Sequence, residues 1–364
     1  MKLTINRKAL AEALAELAPL TGKNKAFHIF DNFKFVTKGD KMRVQASDGE
    51  ITIRKYIDID NHEDDGEFLA DGARLNAFVN KCKGDNLVFD IKDSLLTIKH
   101  SKGQVEFSTL PAEDFIEPTQ AEEATEVIVP AMEFVRIMNA AKNFVATDAL
   151  RPQLCVVHTI AKDCAITFCA TDTRQMFVDK ISVPSLHAES EFGVIATVIP
   201  MVIKACKGAD NIVIKVSDKQ VTYRIGATTI FTLQPNGKYP DFNRVIPKEH
   251  SLEAICDKSE LRDSIFRSML FVEESNMMKV KVSLVAMDLC VNNLTEVMKS
   301  IETMQCTSNG EITFGVNASI FSSCVSACDD NNVQIEMSEP SKPIVVKDNA
   351  NPSRTILCMP MTLK

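Results

Sequence analysis

Three stretches of the chain share one pattern: LNAFVNKCKGDNLVFDI (75–91), PMVIKACKGADNIVIKV (200–216) and ASIFSSCVSACDDNNVQIEM (318–337). Each predicts a helix, a polar turn and a strand, because apolar residues at helical spacing give way to alternating ones. With Cys82, Cys206 and Cys328 taken as equivalent, the stretches lie 124 and then 122 residues apart. Three such repeats fill the 364 residues, so the repeat decides the fold.

A second recurring segment opens each repeat with a short apolar strand followed by an amphipathic helix. It reads TINRKAL at 4–10, IVPAMEF at 128–134 and ICDKSEL at 255–261. Asn6 and Asp257 are suitable helix N-caps, and Pro130 suits a first helical turn. Alternating runs such as 87–91 and 105–107 predict strands between and after the helices.

Each repeat is therefore expected to be a strand, a helix and three strands, written twice. This predicts an α+β fold with antiparallel sheets and three domains, at 1–120, 125–248 and 251–364. Polar, proline-containing segments at 117–123 and 247–251 are the predicted linkers.

The composition describes an ordinary globular chain, with 45% apolar and 25% charged residues. A net charge of -8 argues against a chain that is basic throughout. The eleven cysteines are scattered, which favours reduced thiols over a disulfide framework. With no apolar run of membrane-spanning length and no signal peptide, we expect a cytoplasmic protein without a membrane partner.

Motifs for catalysis are missing from the sequence: it contains no G-x-S-x-G, P-loop, G-x-G-x-x-G or H-E-x-x-H. Cys164 and Cys169, in a predicted strand, and Cys324 and Cys328, on a predicted helix, are interpreted as core residues rather than zinc ligands. The acidic loop 61–66 around His62 is interpreted as a solvated turn. We therefore expect no catalytic residue, metal or cofactor.

Basic residues recur on the predicted helices, whereas acidic residues concentrate in strands and loops. They are Arg7, Lys8, Arg74, Lys81, Arg136, Lys142, Lys204, Lys207, Arg262 and Arg267. On one helix such residues would indicate only a solvated face. Their recurrence on equivalent helices favours a shared positive surface, for which nucleic-acid phosphate is the natural partner.

Four motifs in order make the sequence recognisable: STLPAEDF at 108–115, ATDTR at 170–174, YPDFNRVIP at 239–247 and MPMTL at 359–363. With them the chain resembles, over its full length, the bacterial DNA polymerase III β subunits, the sliding clamps. The resemblance implies a head-to-tail homodimer that forms a ring, with helices lining the hole and sheets outside. It implies a non-catalytic processivity factor that slides on double-stranded DNA without reading its sequence.

The resemblance also implies partners: the DNA polymerase III α subunit, the clamp loader and other proteins with a clamp-binding motif. Their peptides would enter an apolar cleft formed by Leu154, Thr171, Arg174, Met176, Pro240, Arg244, Val245, Asn317, Met359, Pro360 and Met361. The chain departs from the family pattern here. Thr173 to Met176 replace a common Gly-His-Arg-Leu, and Thr362 replaces a common arginine before Leu363 and an extra Lys364. The preferred peptide is therefore expected to differ.

Two further sets of residues are predicted from the resemblance and from the basic helices. The residues expected to face DNA are Lys23, Lys25, Arg7, Lys81, Arg136, Lys204 and Lys207. The residues expected at the dimer interface are Arg74, Val105 and Phe107 on one side and Met269 and Leu270, beside Phe271, on the other. The alternatives to a clamp are a metal-dependent nuclease and a repeat scaffold that binds no DNA.

Overall fold

The computed structural model describes residues 1–119, 123–148, 150–186, 188–293 and 298–363, with the side chain of Asn293 left out. The centre of the predicted linker, residues 120–122, and the extra Lys364 lie outside the described residues. Besides four short 3-10 turns, the described chain forms six α-helices and twenty-four strands. They follow one order six times, a strand, a helix and three strands, which confirms the predicted α+β repeat.

The bounds of the elements show the duplication within each repeat. The first repeat contains β1 (Lys2–Asn6), α1 (Arg7–Leu17), β2 (Asn32–Lys38), β3 (Lys41–Ser47), β4 (Ile51–Asp60), β5 (Gly66–Asp71), α2 (Gly72–Lys81), β6 (Asn86–Lys92), β7 (Leu95–His100) and β8 (Gly103–Ser108). The second contains β9 (Thr125–Pro130), α3 (Ala131–Ala141), β10 (Val156–Lys162), β11 (Ala165–Thr171), β12 (Gln175–Ser182), β13 (Ser190–Ile195), α4 (Ile199–Ala205), β14 (Asn211–Val216), β15 (Gln220–Ile225) and β16 (Thr228–Leu233). The third contains β17 (Leu252–Asp257), α5 (Lys258–Met269), β18 (Met277–Val282), β19 (Ala286–Asn293), β20 (Met298–Ser308), β21 (Ile312–Asn317), α6 (Ala318–Ser326), β22 (Asn332–Met337), β23 (Ile344–Lys347) and β24 (Thr355–Cys358).

The chain divides into two compact units, and the first comprises residues Met1–Met132 and Thr197–Gln234. Its antiparallel sheet runs β8-β7-β6-β1-β4-β16-β15-β14-β9, and β2, β3 and β5 extend it beside β4. Helix α1 contacts both α2 and α4. Leu10, Leu14 and Leu17 recur at helical spacing on α1 and are fully buried, so burial of this apolar stripe holds the helix in place.

The second compact unit comprises residues Glu133–Ala196 and Pro235–Lys364. Its sheet runs β13-β10-β11-β12-β24-β23-β22-β17-β20-β19-β18-β21, again antiparallel throughout. Helices α5 and α6 pack against each other. Leu261 and Ile265 of α5 and Phe321 of α6 are fully buried. No helix within the described ranges combines the length and the apolar character needed to cross a membrane.

Two predicted caps are confirmed and three local predictions are wrong. The Asn6 side chain accepts hydrogen bonds from the backbone N–H groups of Lys8 and Ala9, and that of Asp257 accepts one from Glu260. Pro130 ends β9 instead of opening α3. Cys164 lies in the turn before β11 with a positive φ of 56°, and Cys328 follows the end of α6. Neither cysteine is therefore in the element predicted for it.

Candidate functional sites

An apolar cluster in the second compact unit joins side chains from four separate segments. Leu154 comes from a short 3-10 turn, Met176 from β12, Leu357 from β24, and Tyr239 and Phe242 from the loop after β16; each is less than 10% exposed. Leu154 and Met176 belong to the predicted cleft. The other three were not assigned to it, although YPDFNRVIP at 239–247 signals two of them.

Tyr239 is held in this cluster by a stacked ring and a hydrogen bond. Its ring stacks on His158 with centroids 4.2 Å apart, and its hydroxyl donates to the carbonyl of Cys169 at 3.3 Å. Burial raises the pKa of Tyr239 and lowers that of His158, although Glu191 beside His158 opposes the second shift. Burial also raises the pKa of Cys169 to about 12. The floor of the cluster is therefore uncharged near neutral pH, as an apolar side chain entering it requires.

The chain after β24 runs along the edge of the cluster. The N–H of Met359 donates to the carbonyl of Arg174 at 2.8 Å, and the N–H of Met361 donates to the carbonyl of Gly315 at 2.7 Å. A Cβ at Gly315 would lie 2.6 Å from the Met361 carbonyl oxygen, so only glycine allows this approach. Asn317, two residues later, caps α6 by accepting from the N–H of Ile320.

These bonds place the predicted residues Met359, Pro360 and Met361 between the turn after β11 and the strand that precedes α6. Arg174 and Asn317 therefore lie near the two ends of this segment.

The turn between β11 and β12 carries the departures from the family pattern. The hydroxyl of Thr171 donates to the carbonyl of Gln175 at 2.7 Å and accepts from the N–H of Thr173 at 3.1 Å. Thr173 has a φ of 80°, a conformation that favours glycine, which is the residue common in the family at this position. The Arg174 side chain is 70% exposed, and its guanidinium lies 4.0 Å from the carboxylate of Asp172.

Polar and apolar residues alternate at the rim of the cluster. Asp241 caps a 3-10 turn that follows the exposed Pro240, and it accepts from the guanidinium of Arg244 at 2.9 Å. Val245 is 52% exposed and directly precedes Ile246, which packs against the cluster. The arrangement of an apolar floor, an exposed apolar residue and two exposed guanidinium groups suits an extended peptide with both apolar and acidic side chains.

Basic side chains lie at both ends of α1 in the first compact unit. The guanidinium of Arg7 donates to the carbonyl of Gly84, close to the end of α2, where Lys81 is exposed. At the other end of α1 the ammonium of Lys204 donates to the carbonyl of Ala15 at 2.8 Å. Lys207 is exposed just after α4. Helix α1 contacts both α2 and α4, and we call these three packed helices the helical layer. The structure thus brings predicted DNA-facing residues to this one layer.

Lys23 and Lys25 are both exposed on the loop that follows α1. Asn24 between them fixes the loop, because its side chain donates to the carbonyl of Asp48 and accepts from the N–H groups of Ala26 and Phe27. The two ammonium groups therefore extend from a fixed backbone.

Arg136 on α3 has a different environment from the other predicted DNA-facing residues. Its guanidinium contacts Glu133 at 2.9 Å and the fully buried Asp179 at 3.2 Å. Asp179 also contacts the buried Arg354, which in turn contacts Asp348. Arg136 thus belongs to a network of ion pairs centred on buried Asp179 and Arg354, which a pattern of basic residues on helices could not reveal.

The predicted interface residues are accessible in both compact units. Arg74 is 82% exposed on α2, and Val105 and Phe107 are half-buried on the terminal strand β8. In the second unit Met269 ends α5, and Leu270 is 78% exposed. Each set thus offers apolar surface for contact.

Comparisons with known proteins identify the family. The family model for the DNA polymerase III beta subunit, N-terminal domain, matches residues 1–120, and that for its C-terminal domain matches residues 243–362. The chain is similar to the beta sliding clamp of Caulobacter vibrioides, with 23% identity over 99% of this chain and 100% of that one. It is 22% identical to the beta sliding clamp of Helicobacter pylori, with 100% of both chains covered.

Solved structures share the fold over the whole chain. The DNA polymerase III subunit beta from Pseudomonas aeruginosa has a TM-score of 0.94 at 19% identity, and the beta subunit from Streptococcus pyogenes has 0.95 at 17%, both with full coverage of the two chains. The nuclease and scaffold alternatives find no support in these comparisons. The chain belongs to the DNA polymerase III beta subunit family, the beta sliding clamps, which are non-catalytic processivity subunits in DNA replication.

Proposed function

We propose that two copies of the chain close head to tail into a ring around duplex DNA and tether DNA polymerase III to it. The observation that carries this proposal is an antiparallel strand pairing between neighbouring repeats, called a joint below. It occurs twice within the chain, in the same register. The unpaired edges for a third such joint lie on β8 and β20. A second copy of the chain can supply the missing partner at each edge.

The two joints within the chain are equivalent. In the first compact unit β16 pairs with β4, and Ile230 lies opposite Ile53. In the second unit β24 pairs with β12, and Ile356 lies opposite Phe177. All four side chains are buried. In both joints the last strand of one repeat therefore joins the fourth strand of the preceding repeat.

The residues of the third joint follow from this equivalence. Val105 of β8 lies opposite Ile98, as Ile230 lies opposite Tyr223 in the matching hairpin. Ser300 of β20 lies opposite Val291 on the inward face of its hairpin. Val105 should therefore face Ser300 of the second copy.

The neighbouring pairs of this joint are complementary. The next residues along the two strands, Glu106 and Lys299, are both exposed and carry opposite charges. Phe107 and Met298 follow as an apolar pair. Cross-strand pairs of these types stabilise antiparallel sheets, whereas like charges would oppose them. Within the described parts of the chain, β8 pairs only with β7, and residues 298–303 of β20 pair only with β19, so each keeps one edge without a strand partner.

The DNA contact is assigned to the basic residues of the helical layer and to Lys23 and Lys25. Contacts from ammonium and guanidinium groups to phosphate carry no sequence information, so such a ring can slide. Arg136 should contribute less, because its charge is already balanced by Glu133 and Asp179.

The cluster around Tyr239 and the segment Met359–Met361 are assigned as the binding cleft for partner peptides. The proposed partners are the polymerase α subunit, the clamp loader and other proteins that carry a clamp-binding motif. The cleft's apolar floor and exposed Arg174 and Arg244 support this assignment. We also propose the three domains 1–120, 125–248 and 251–364 and a cytoplasmic location; the family matches at 1–120 and 243–362 support the two outer domains.

A topological experiment tests the proposal. The protein is loaded by a clamp loader onto a nicked circular plasmid, and half of the sample is then linearised by a restriction enzyme. Retention on circles and rapid loss from linear DNA are expected, and blocking the linear ends with a tightly bound protein should restore retention. Equal retention on circular and linear DNA would contradict encirclement.

A further inference from the structure

Two glutamates lie directly opposite each other where β17 begins and β22 ends. Glu253 pairs with Glu336 in the register of these strands. The side chain of Glu253 is 47% exposed, whereas that of Glu336 is only 6% exposed. Like charges at directly opposed positions destabilise a sheet, and a buried carboxylate is costly without a compensating partner.

One imidazole lies between the two carboxylates. His250 Nε2 is 3.3 Å from Oε1 of Glu253, and Nδ1 is 3.3 Å from Oε2 of Glu336. The other oxygen of Glu336 accepts from the side-chain amide of Gln334 at 2.9 Å. No lysine or arginine within the described ranges forms an ion pair with either glutamate. The two carboxylates therefore lie close together without a lysine or arginine partner.

The backbone that carries these side chains is fixed by hydrogen bonds on both sides. The Asn309 side chain accepts from the N–H of Glu253 at 2.8 Å and donates to the carbonyl of Ser251 at 3.3 Å. The hydroxyl of Ser338 donates to the carbonyl of Glu249 at 2.9 Å. The three potential ligands are therefore held in place by the sheet and by the segment that enters it.

We propose that His250, Glu253 and Glu336 form a binding site for a Zn²⁺ ion. One ligand atom from each residue lies within 4.8 Å of the other two, and this is the one such group of histidine, cysteine, aspartate and glutamate found across the described ranges. One imidazole nitrogen and two carboxylate oxygens are ligands that Zn²⁺ accepts, with water completing a tetrahedron. The two carboxylates would neutralise the charge of the ion.

The site would have a structural effect next to the proposed peptide cleft. His250 belongs to the segment 247–251, which directly follows Val245 and Ile246, and Ile246 packs against the apolar cluster. A bound ion would attach this segment to β22 through Glu336. The ion would thus stabilise the path of the chain between the cleft and β17.

The test uses the full chain, stripped of metal by EDTA, and Zn²⁺ alone as the probe. Thermal unfolding should shift upward with Zn²⁺ because an ion that binds only the folded state stabilises it; at a free concentration a hundred times Kd, the unfolding equilibrium constant falls about a hundredfold. The shift should disappear in His250→Asn and in Glu336→Gln. Glu191→Gln is the matched control, since Glu191 pairs with His158 without a second carboxylate, and it should keep the shift.

Because the chain has eleven cysteines, Co²⁺ spectroscopy must accompany the thermal measurement. A cobalt spectrum with tetrahedral ligand-field bands but no thiolate charge-transfer band, lost in His250→Asn, supports the site. A thiolate band, an equal response in His250→Asn and wild type, or no response to Zn²⁺ would overturn it. If His250→Asn unfolds at a lower temperature than the wild type but neither protein responds to metal, His250 only bridges the two glutamates directly, which also overturns the proposal.

Discussion

Charge reversal at Glu106 tests the joint between two copies of the chain. In the proposed register this exposed residue of β8 lies opposite Lys299 of the second copy's β20. Glu106→Lys would place two lysines opposite each other. A ring of two copies contains this joint twice, so one substitution in the chain changes both joints.

The expected size of the effect follows from the exposure and geometry of the pair. An opposite-charge pair across two strands contributes roughly 0.2–1 kcal/mol, and a like-charge pair opposes pairing by about as much. Reversal should therefore cost about 0.4–2 kcal/mol per joint and about 1–4 kcal/mol per ring. Since each 1.4 kcal/mol is tenfold, the dimer Kd should rise between about fivefold and several hundredfold. Salt should reduce the difference, because both groups are solvated.

Sedimentation equilibrium over a concentration series, at low and at high salt, measures this change. Lys299→Glu should weaken the dimer to a similar degree, and the double variant should recover most of the wild-type affinity. Glu126→Lys, with the same charge change on β9 at the other end of the sheet, is the control and should dimerise normally. An unchanged Kd for Glu106→Lys at low salt, or a double variant as weak as the two single changes combined, would refute the register.

Three further predictions concern the DNA, the cleft and the buried ion pairs. Lys23→Glu with Lys25→Glu should lower the salt slope of DNA retention by about two units, as loss of two phosphate contacts requires; an unchanged slope in binding titrations would exclude these lysines. Deleting the chain from Met359 onward should abolish binding of a polymerase-derived peptide in titration calorimetry while leaving the dimer intact, and wild-type affinity would contradict the cleft. Burial opposes ionisation of Asp348, but hydrogen bonds and Arg354 outweigh it and hold its pKa below 3.8. Ionised Asp348 therefore stabilises the fold above a pH of about 4, and this stabilisation is lost as the pH falls through the lower folded-state pKa. In acid denaturation the Asp348→Asn variant should therefore lose less stability than the wild type does.

The repeated elements were accessible from sequence because they depend on local patterns. Helical spacing placed Leu10, Leu14 and Leu17 on the buried face of α1, and the caps at Asn6 and Asp257 marked where helices begin. Such signals act within one or two turns of chain. They set the type of each element well and its ends less well, as the positions of Cys164 and Cys328 outside their predicted elements show.

Long-range pairing was not accessible from these patterns. Nothing in the alternation of β16 indicates that Ile230 lies opposite Ile53 rather than another buried strand residue. In the same way, charge alone grouped Arg136 with the other basic residues on helices, whereas in the structure its guanidinium pairs with the buried Asp179. The predicted cleft residues came from motif resemblance, which gave Leu154 and Met176 but could not show that both pack with Tyr239 and Phe242 in one buried cluster.

The repeated joint has a consequence for where the proposed ring opens. Strands β16 and β4, like β24 and β12, belong to one polypeptide, so a broken joint faces its partner again at the high effective concentration set by a covalent tether. The same strands joined between two molecules have only the concentration of free protein to bring them back. The ring would thus open between its subunits even if all its joints were equally strong, and the polypeptide's connectivity would determine the position of the gate.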